Sequence, residues 1–169
     1  DMSADAIKTV DFPPAYGADI VVSCEKEKDP KNGSIYLKPT QFVLGIGCRR
    51  DTAFENIDRA IRQSLLKLQI DISDIDMIAS IDVKKDEPGI KEFCERNRID
   101  FVTYTADELM AVQGEFSASQ FVSEHVGVDN VCERAAVLAC SRECNKAGKL
   151  VYKKHKYDRV TVAAARYPD

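Results

Sequence analysis

The chain has no apolar stretch near the roughly 18 to 20 residues that a membrane-spanning helix requires, so its 169 residues hold no candidate span. Its first residues, "DMSADAIKTVDFPP", lack the basic start and apolar centre of a secretory signal, and a cytoplasmic location is the expectation. The start at Asp1, with no initiator Met, reads as a fragment of something longer. An excess of basic residues is also missing. Lys and Arg number 24 against 28 Asp and Glu, a net charge of -4, so neither nucleic acid nor a membrane surface is an expected partner. Local basic sites are not excluded, and Arg49-Arg50 and Lys84-Lys85 are the candidates. The six cysteines are scattered without a C-x-x-C pair and read as reduced thiols. Cys140 and Cys144 lie at helical spacing, but two ligands do not make a metal site, and none is expected.

What is present is the material of an ordinary globular protein. Hydrophobic residues make up 44% and charged residues 31% of a length that suits one domain with a real core and a small appendage. Residues 1–40 read as a linker or as the tail of a preceding segment. They contain a Pro-Pro, one or two short strands ("ADIVVS", "IYLKP") and a charged turn. From residue 41 to 169 strands and helices alternate. "QFVLGIG" is a strand. Thr52 with Glu55 offers a capping box to a helix whose Phe54, Ile57, Ile61, Leu65 and Leu68 share one face. "MIASIDV" is a second strand, followed by a helix that Asp86 can cap, and "DFVTYT" is a third. Thr105 with Glu108 caps a short helix ending near Gly114, and Ser117 with Gln120 opens another, stopped at Gly127. Asn130 with Glu133 opens the last helix, which runs to Gly148, and "LVYKKHKY" and "VTVAAARY" flank Asp158-Arg159 as a hairpin. The expected fold is α/β, a three-layer α/β/α arrangement around a mixed sheet of about five or six strands ending in a C-terminal hairpin.

In such sheets ligands gather at the carboxyl ends of strands. Three loops qualify. "GIGCRRDT" has two glycines that allow close backbone approach, but the third glycine of a dinucleotide fingerprint is replaced by Arg50, and no P-loop lysine pattern is present. Arg49 and Arg50 suit carboxylates as well as phosphates, because each guanidinium grips two oxygens in a fork. They could equally be solvated or paired with Asp51 and Glu55. Cys48, just before a helix, is open to a role as a reactive thiol or to simple packing. The second loop, "IDVKKDEPG", gathers Asp82, Lys84, Asp86 and Glu87, where a carboxylate beside a lysine can act as a general base; capping of the next helix accounts for Asp86 equally well. The third, "GEFSASQF", presents Ser117, which can cap, and Ser119 and Gln120, which can bond a ligand. His125 and His155 are isolated and read as surface or helix-end residues.

Together "LGIGCRRDT", "SIDVKKDEPGI", "SASQFV", "GVDNVCERAAVLA" and "TVAAARY" resemble, in order and interval, the carboxyl-terminal domain of the cobalt-precorrin-5A hydrolases. This is the CbiG family of anaerobic cobalamin biosynthesis, whose domain is related to CobE, a stand-alone protein of the aerobic pathway. The resemblance covers about residues 40 to 167. It departs at Asp51, where the family usually has glycine and where a carboxylate could partly neutralise the arginines, and in the cysteine-rich run from Cys140 to Lys149. The resemblance implies a corrinoid tetrapyrrole substrate rich in carboxylates, with opening of its δ-lactone and release of acetaldehyde to give cobalt-precorrin-5B. It implies no cofactor of the protein's own, the cobalt being carried by the substrate. Lys84, Asp86 and Glu87 are then the catalytic candidates, and Arg49, Arg50, Gly47, Cys48, Ser117 and Ser119 the substrate-binding ones. Other enzymes of the pathway and a second copy of the chain are further candidate partners. The alternative is a corrinoid-binding domain without catalysis of its own, whose parent protein carries the activity. A nucleotide-binding domain is the remaining one.

Overall fold

A computed structural model describes residues 9–10, 19–22, 34–37, 42–117 and 130–168. The chain divides into two compact units, Asp1–Thr40 and Gln41–Asp169. The first contains three short strands, β1 (Thr9–Val10), β2 (Asp19–Val22) and β3 (Ser34–Leu37). β2 pairs antiparallel with β1 and parallel with β3.

The second unit is built on five strands in the order β6-β5-β4-β8-β7. In chain order its elements are β4 (Phe42–Cys48), α1 (Phe54–Leu68), β5 (Ile75–Ile81), α2 (Pro88–Asn97), β6 (Asp100–Tyr104), α3 (Ala106–Ala111), α4 (Val131–Cys144), β7 (Lys149–Lys156) and β8 (Val160–Arg166). β4, β5 and β6 are parallel, β8 runs antiparallel to β4, and β7 closes the hairpin with β8. The expected mixed sheet between two helical layers is what forms.

The alternation of β4 explains the layers. Leu44, Ile46 and Cys48 face a cluster that includes Ile57 and Ile61 of α1 and Ile90 and Phe93 of α2. Val43 faces the opposite cluster, with Leu109 of α3 and Ala135, Ala136 and Ala139 of α4. Gly45 lies on that second face for a steric reason. A Cβ there would sit 1.7 Å from the Cys132 carbonyl oxygen, so α4 crosses β4 at backbone contact. The alanine-rich helix and the glycine are one device for bringing α4 onto the central strand.

Several helix starts differ from the sequence expectation. Thr52 does not cap α1; its hydroxyl is donated to the Arg49 carbonyl at 2.7 Å, and the helix starts after Ala53 without a side-chain cap. Burying each of Ile57 and Ile61 contributes about 1.5–3 kcal/mol, more than the roughly 1 kcal/mol of a cap, so the apolar stripe alone sets the helix. Asp86 does not cap α2 either, because Glu87 holds that position ahead of Pro88. The Thr105–Glu108 box forms as expected. α4 stops at Cys144, with Asn145 left-handed at φ +53, rather than running to Gly148. Beyond Ser117, the helix expected from Ser117 to Gly127, with Ser119, Gln120 and His125, falls on residues outside the described ones.

Candidate functional site

β4 is the strand at which the topology reverses. α1 leaves it toward β5 on one face, while α4 packs on its other face and the chain returns along β8 on the opposite side. In an open α/β sheet the crevice beyond such a strand's carboxyl end is the preferred ligand position. Residues 49–52 follow directly from that end.

Backbone geometry fixes this loop. The Thr161 hydroxyl approaches the Gly47 carbonyl at 3.3 Å, and a Cβ at Gly47 would meet that hydroxyl oxygen at 2.7 Å. The Arg49 N–H is donated to the Arg159 carbonyl at 3.0 Å, and Asp51 turns the chain with φ +54. That conformation explains why a glycine suits position 51. Arg49 and Arg50 are exposed, and among the described residues neither guanidinium has a hydrogen-bond or ion-pair partner. The pairing with Asp51 or Glu55 that the sequence allowed does not form.

The second loop is locked beneath the first. Glu87 is buried, and its two oxygens accept the Thr52 N–H at 3.0 Å and the Lys84 ammonium at 3.1 Å. Gly89 is pressed against Thr52, where a Cβ would lie 2.3 Å from the threonine carbonyl oxygen. Lys84 and Glu87 therefore act as a pair at the ends of β4 and β5. Asp86 is different: its side chain is 77% exposed and stands 3.9 Å from Lys91, so its oxygens remain open to water.

Cys48 packs, half-buried, against the α1 and α2 core. Burial pushes its thiol from an ordinary 9.0 up to about 11, against a smaller opposing pull from Lys84. At neutral pH it is a protonated packing group rather than a nucleophile.

Of the third loop, residues up to Ser117 are described, and Ser117 is bonded to the start of α4. Ser117 donates its N–H and its hydroxyl to the two oxygens of Glu133, each at 2.9 Å, and its carbonyl accepts from Asn130 at 2.8 Å. Glu133 is fully buried and also accepts the Lys154 N–H at 2.6 Å. Asn130, left-handed at φ +52, still accepts the Glu133 N–H, but the glutamate side chain turns to Ser117 and β7 rather than back to Asn130. Ser117 thus enters a buried clip joining three segments.

Arg159, Glu133 and Thr52 do structural work here that sequence spacing did not assign. The one signal for Arg159 was its place in a two-residue hairpin turn, where glycine or asparagine is usual. Beside that turn, a groove of about 220 Å³ lies between Asn56, Arg59, Ala60 and Gln63 of α1 and Tyr157 and Asp158. Pockets that enclose drug-sized ligands run from about 300 Å³, so this groove is smaller than one that encloses a whole small molecule.

The family described as "Cobalamin synthesis G C-terminus" matches residues 42–165. The chain belongs to that family. It is 37% identical over 102 residues to the cobalt-precorrin-5A hydrolase of Salmonella typhimurium, covering 60% of this chain and 29% of that protein. It is 31% identical over 144 residues to the cobalt-precorrin-5A hydrolase of Priestia megaterium, covering 85% of this chain and 37% of that one. The chain therefore spans well under half the length of these curated relatives. Among solved structures, CobE, a protein from the cobalamin (vitamin B12) biosynthetic pathway, superposes with a TM-score of 0.72 at 26% identity. That match covers 78% of this chain and 93% of CobE. The resemblance to this family is borne out, and the matched residues 42–165 fall within the second of the two units.

Proposed function

We propose that the chain is the carboxyl-terminal part of a cobalt-precorrin-5A hydrolase and binds a cobalt corrinoid over the carboxyl end of β4. The observation that carries this reading is the pair of exposed guanidiniums at Arg49 and Arg50, unpartnered among the described residues, on a loop held rigid from below. Each can take a side-chain carboxylate of the ring in a two-point fork. Gly47 and Cys48 lie at that end of the strand, Ser117 is held at the start of α4, and Ser119 is carried as a further substrate-binding candidate from the sequence. In this reading the ring lies across the strand ends, and the groove beside α1 takes one of its side arms.

For the chemistry, Glu87 holds Lys84 in place, so the lysine ammonium is set to stabilise the carboxylate that forms as the δ-lactone opens. Asp86, with open oxygens, is the carboxylate that takes a proton from the attacking water. Opening leaves a hydroxyl on the two-carbon arm, to which the proton on Asp86 returns. Cleavage of the carbon–carbon bond joining that arm to the ring then frees acetaldehyde, the ring keeping the bonding pair and taking a proton, and cobalt arrives and departs with the substrate. The scattered cysteines without a C-x-x-C pair fit a reducing, cytoplasmic setting. The test is incubation of this chain, and of its full-length parent, with cobalt-precorrin-5A and an assay for acetaldehyde. Release by the chain alone places catalysis here.

A second reading, binding without catalysis, is favoured by one specific feature: both oxygens of the buried Glu87 are engaged, which leaves it no free oxygen for a water. Acetaldehyde released only by the longer protein, with the corrinoid still bound by this chain, would select it.

A further inference from the structure

The hairpin between β7 and β8 turns through two residues, Asp158 and Arg159, closed by hydrogen bonds between Tyr157 and Val160 at 2.7 and 3.4 Å. Val160 pairs with Cys48, so the turn stands directly beside the end of β4. Its base is anchored. The Ser64 hydroxyl bonds the Tyr157 hydroxyl at 2.9 Å, Tyr152 and Tyr157 share a hydrogen bond of 3.0 Å, and Asn56 donates to Asp158 at 3.1 Å. On this base Arg159 holds both arginines of the loop. Its carbonyl accepts the Arg49 N–H at 3.0 Å, and its Nη2 donates to the Arg50 carbonyl at 2.8 Å.

Arg159 adopts φ +60, a conformation in which a glycine would be unstrained. Its guanidinium is exposed and uses one donor on Arg50, while an arginine carries five. Its charge also reaches the strand end, where it is among the groups that draw the Cys48 thiol downward against burial. A residue that served only the turn would gain nothing from a long cationic side chain at a left-handed position.

We propose that Arg159 is the third arginine of the anion site: it holds the Arg49–Arg50 loop and presents its remaining donors to a further carboxylate of the same ligand. This rests on the reading of Arg49 and Arg50 as carboxylate ligands and extends it to a three-arginine set, selective for a polycarboxylate over an amidated ring. The ligand probes are cobyrinic acid, a stable corrinoid whose side chains end in free carboxylates, and cobinamide, whose side chains are largely amides. Both are titrated into the 169-residue chain and its variants. Arg159→Gly removes the side chain while relieving the backbone. Its melting temperature is expected to equal or exceed that of the wild type, and its affinity for cobyrinic acid to fall about tenfold or more, as for loss of a charge-assisted contact. Cobinamide binding should change little, and Arg159→Lys should lie between wild type and glycine. If Arg159→Gly does not fold, Arg159→Asn, which also tolerates a left-handed backbone, carries the same comparison. Unchanged cobyrinic acid affinity in the glycine or asparagine variant, with Arg49→Ala still weakened, overturns the role of Arg159 alone. Unchanged affinity in Arg49→Ala and Arg50→Ala overturns the underlying site.

Discussion

Glu87 and Thr52, separated by 35 residues, are joined by a buried hydrogen bond of 3.0 Å from the threonine N–H to the glutamate carboxylate. Because the other oxygen of Glu87 holds Lys84, one side chain ties the arginine loop to the acidic loop. The cationic face of the site thus stands on an anionic brace within the protein.

Breaking that brace is expected to be costly. Glu87→Ala leaves the Thr52 N–H and the Lys84 ammonium without their partner and should lower stability by about 2–4 kcal/mol. Glu87→Gln keeps an acceptor for Thr52 and should cost less. Urea unfolding of both variants measures the difference. A glutamine variant of normal stability that has lost acetaldehyde release would show instead that Glu87 takes part in the reaction.

Asp51 holds a left-handed backbone without an ion pair among the described residues. Asp51→Gly should therefore raise stability by about 0.5–1 kcal/mol, the strain relieved exceeding the added freedom of the unfolded chain. Corrinoid affinity should stay the same or rise as a nearby negative charge is removed. A thermal melt and a titration check the two halves, and a clear loss of stability would mean that the aspartate side chain supports the loop.

Three thiols make the fold sensitive to alkali. Burial lifts Cys48 from 9.0 to about 11, and Cys94 and Cys132 to about 12. In each case the folded-state value lies above the unfolded one, so their contribution is complete below about pH 9 and is lost as pH rises through 11 and 12. Melting temperature should hold at about pH 8 and fall by about pH 10.5, and Cys132→Ala should flatten the decline. Rapid reaction of the native protein's Cys48 with a thiol reagent at neutral pH would contradict its assignment as a packing group.

Much of this was legible in the sequence because its signals are periodic or local. The α1 stripe, the β4 strand and the Thr105–Glu108 box depend on neighbours a few residues apart, and all three form. The spacing of Thr52 and Glu133 permits capping, yet each bonds a distant segment instead. Spacing along one element cannot show a partner 35 or 21 residues away. Arg159 was hidden for a related reason: only the β4–β8 pairing brings the hairpin tip beside Arg49 and Arg50. The loops themselves were found because glycines, paired arginines and mixed charges at strand ends have a direct chemical meaning.

The central claim is that Arg49 and Arg50 hold the carboxylates of a corrinoid at the end of β4. Its most direct test is the dissociation constant of cobalt-precorrin-5A for the wild type and for Arg49→Ala/Arg50→Ala, both checked for equal melting temperature. The account predicts at least a hundredfold weaker binding, as two charge-assisted contacts are lost. Equal affinity in the two proteins would contradict it.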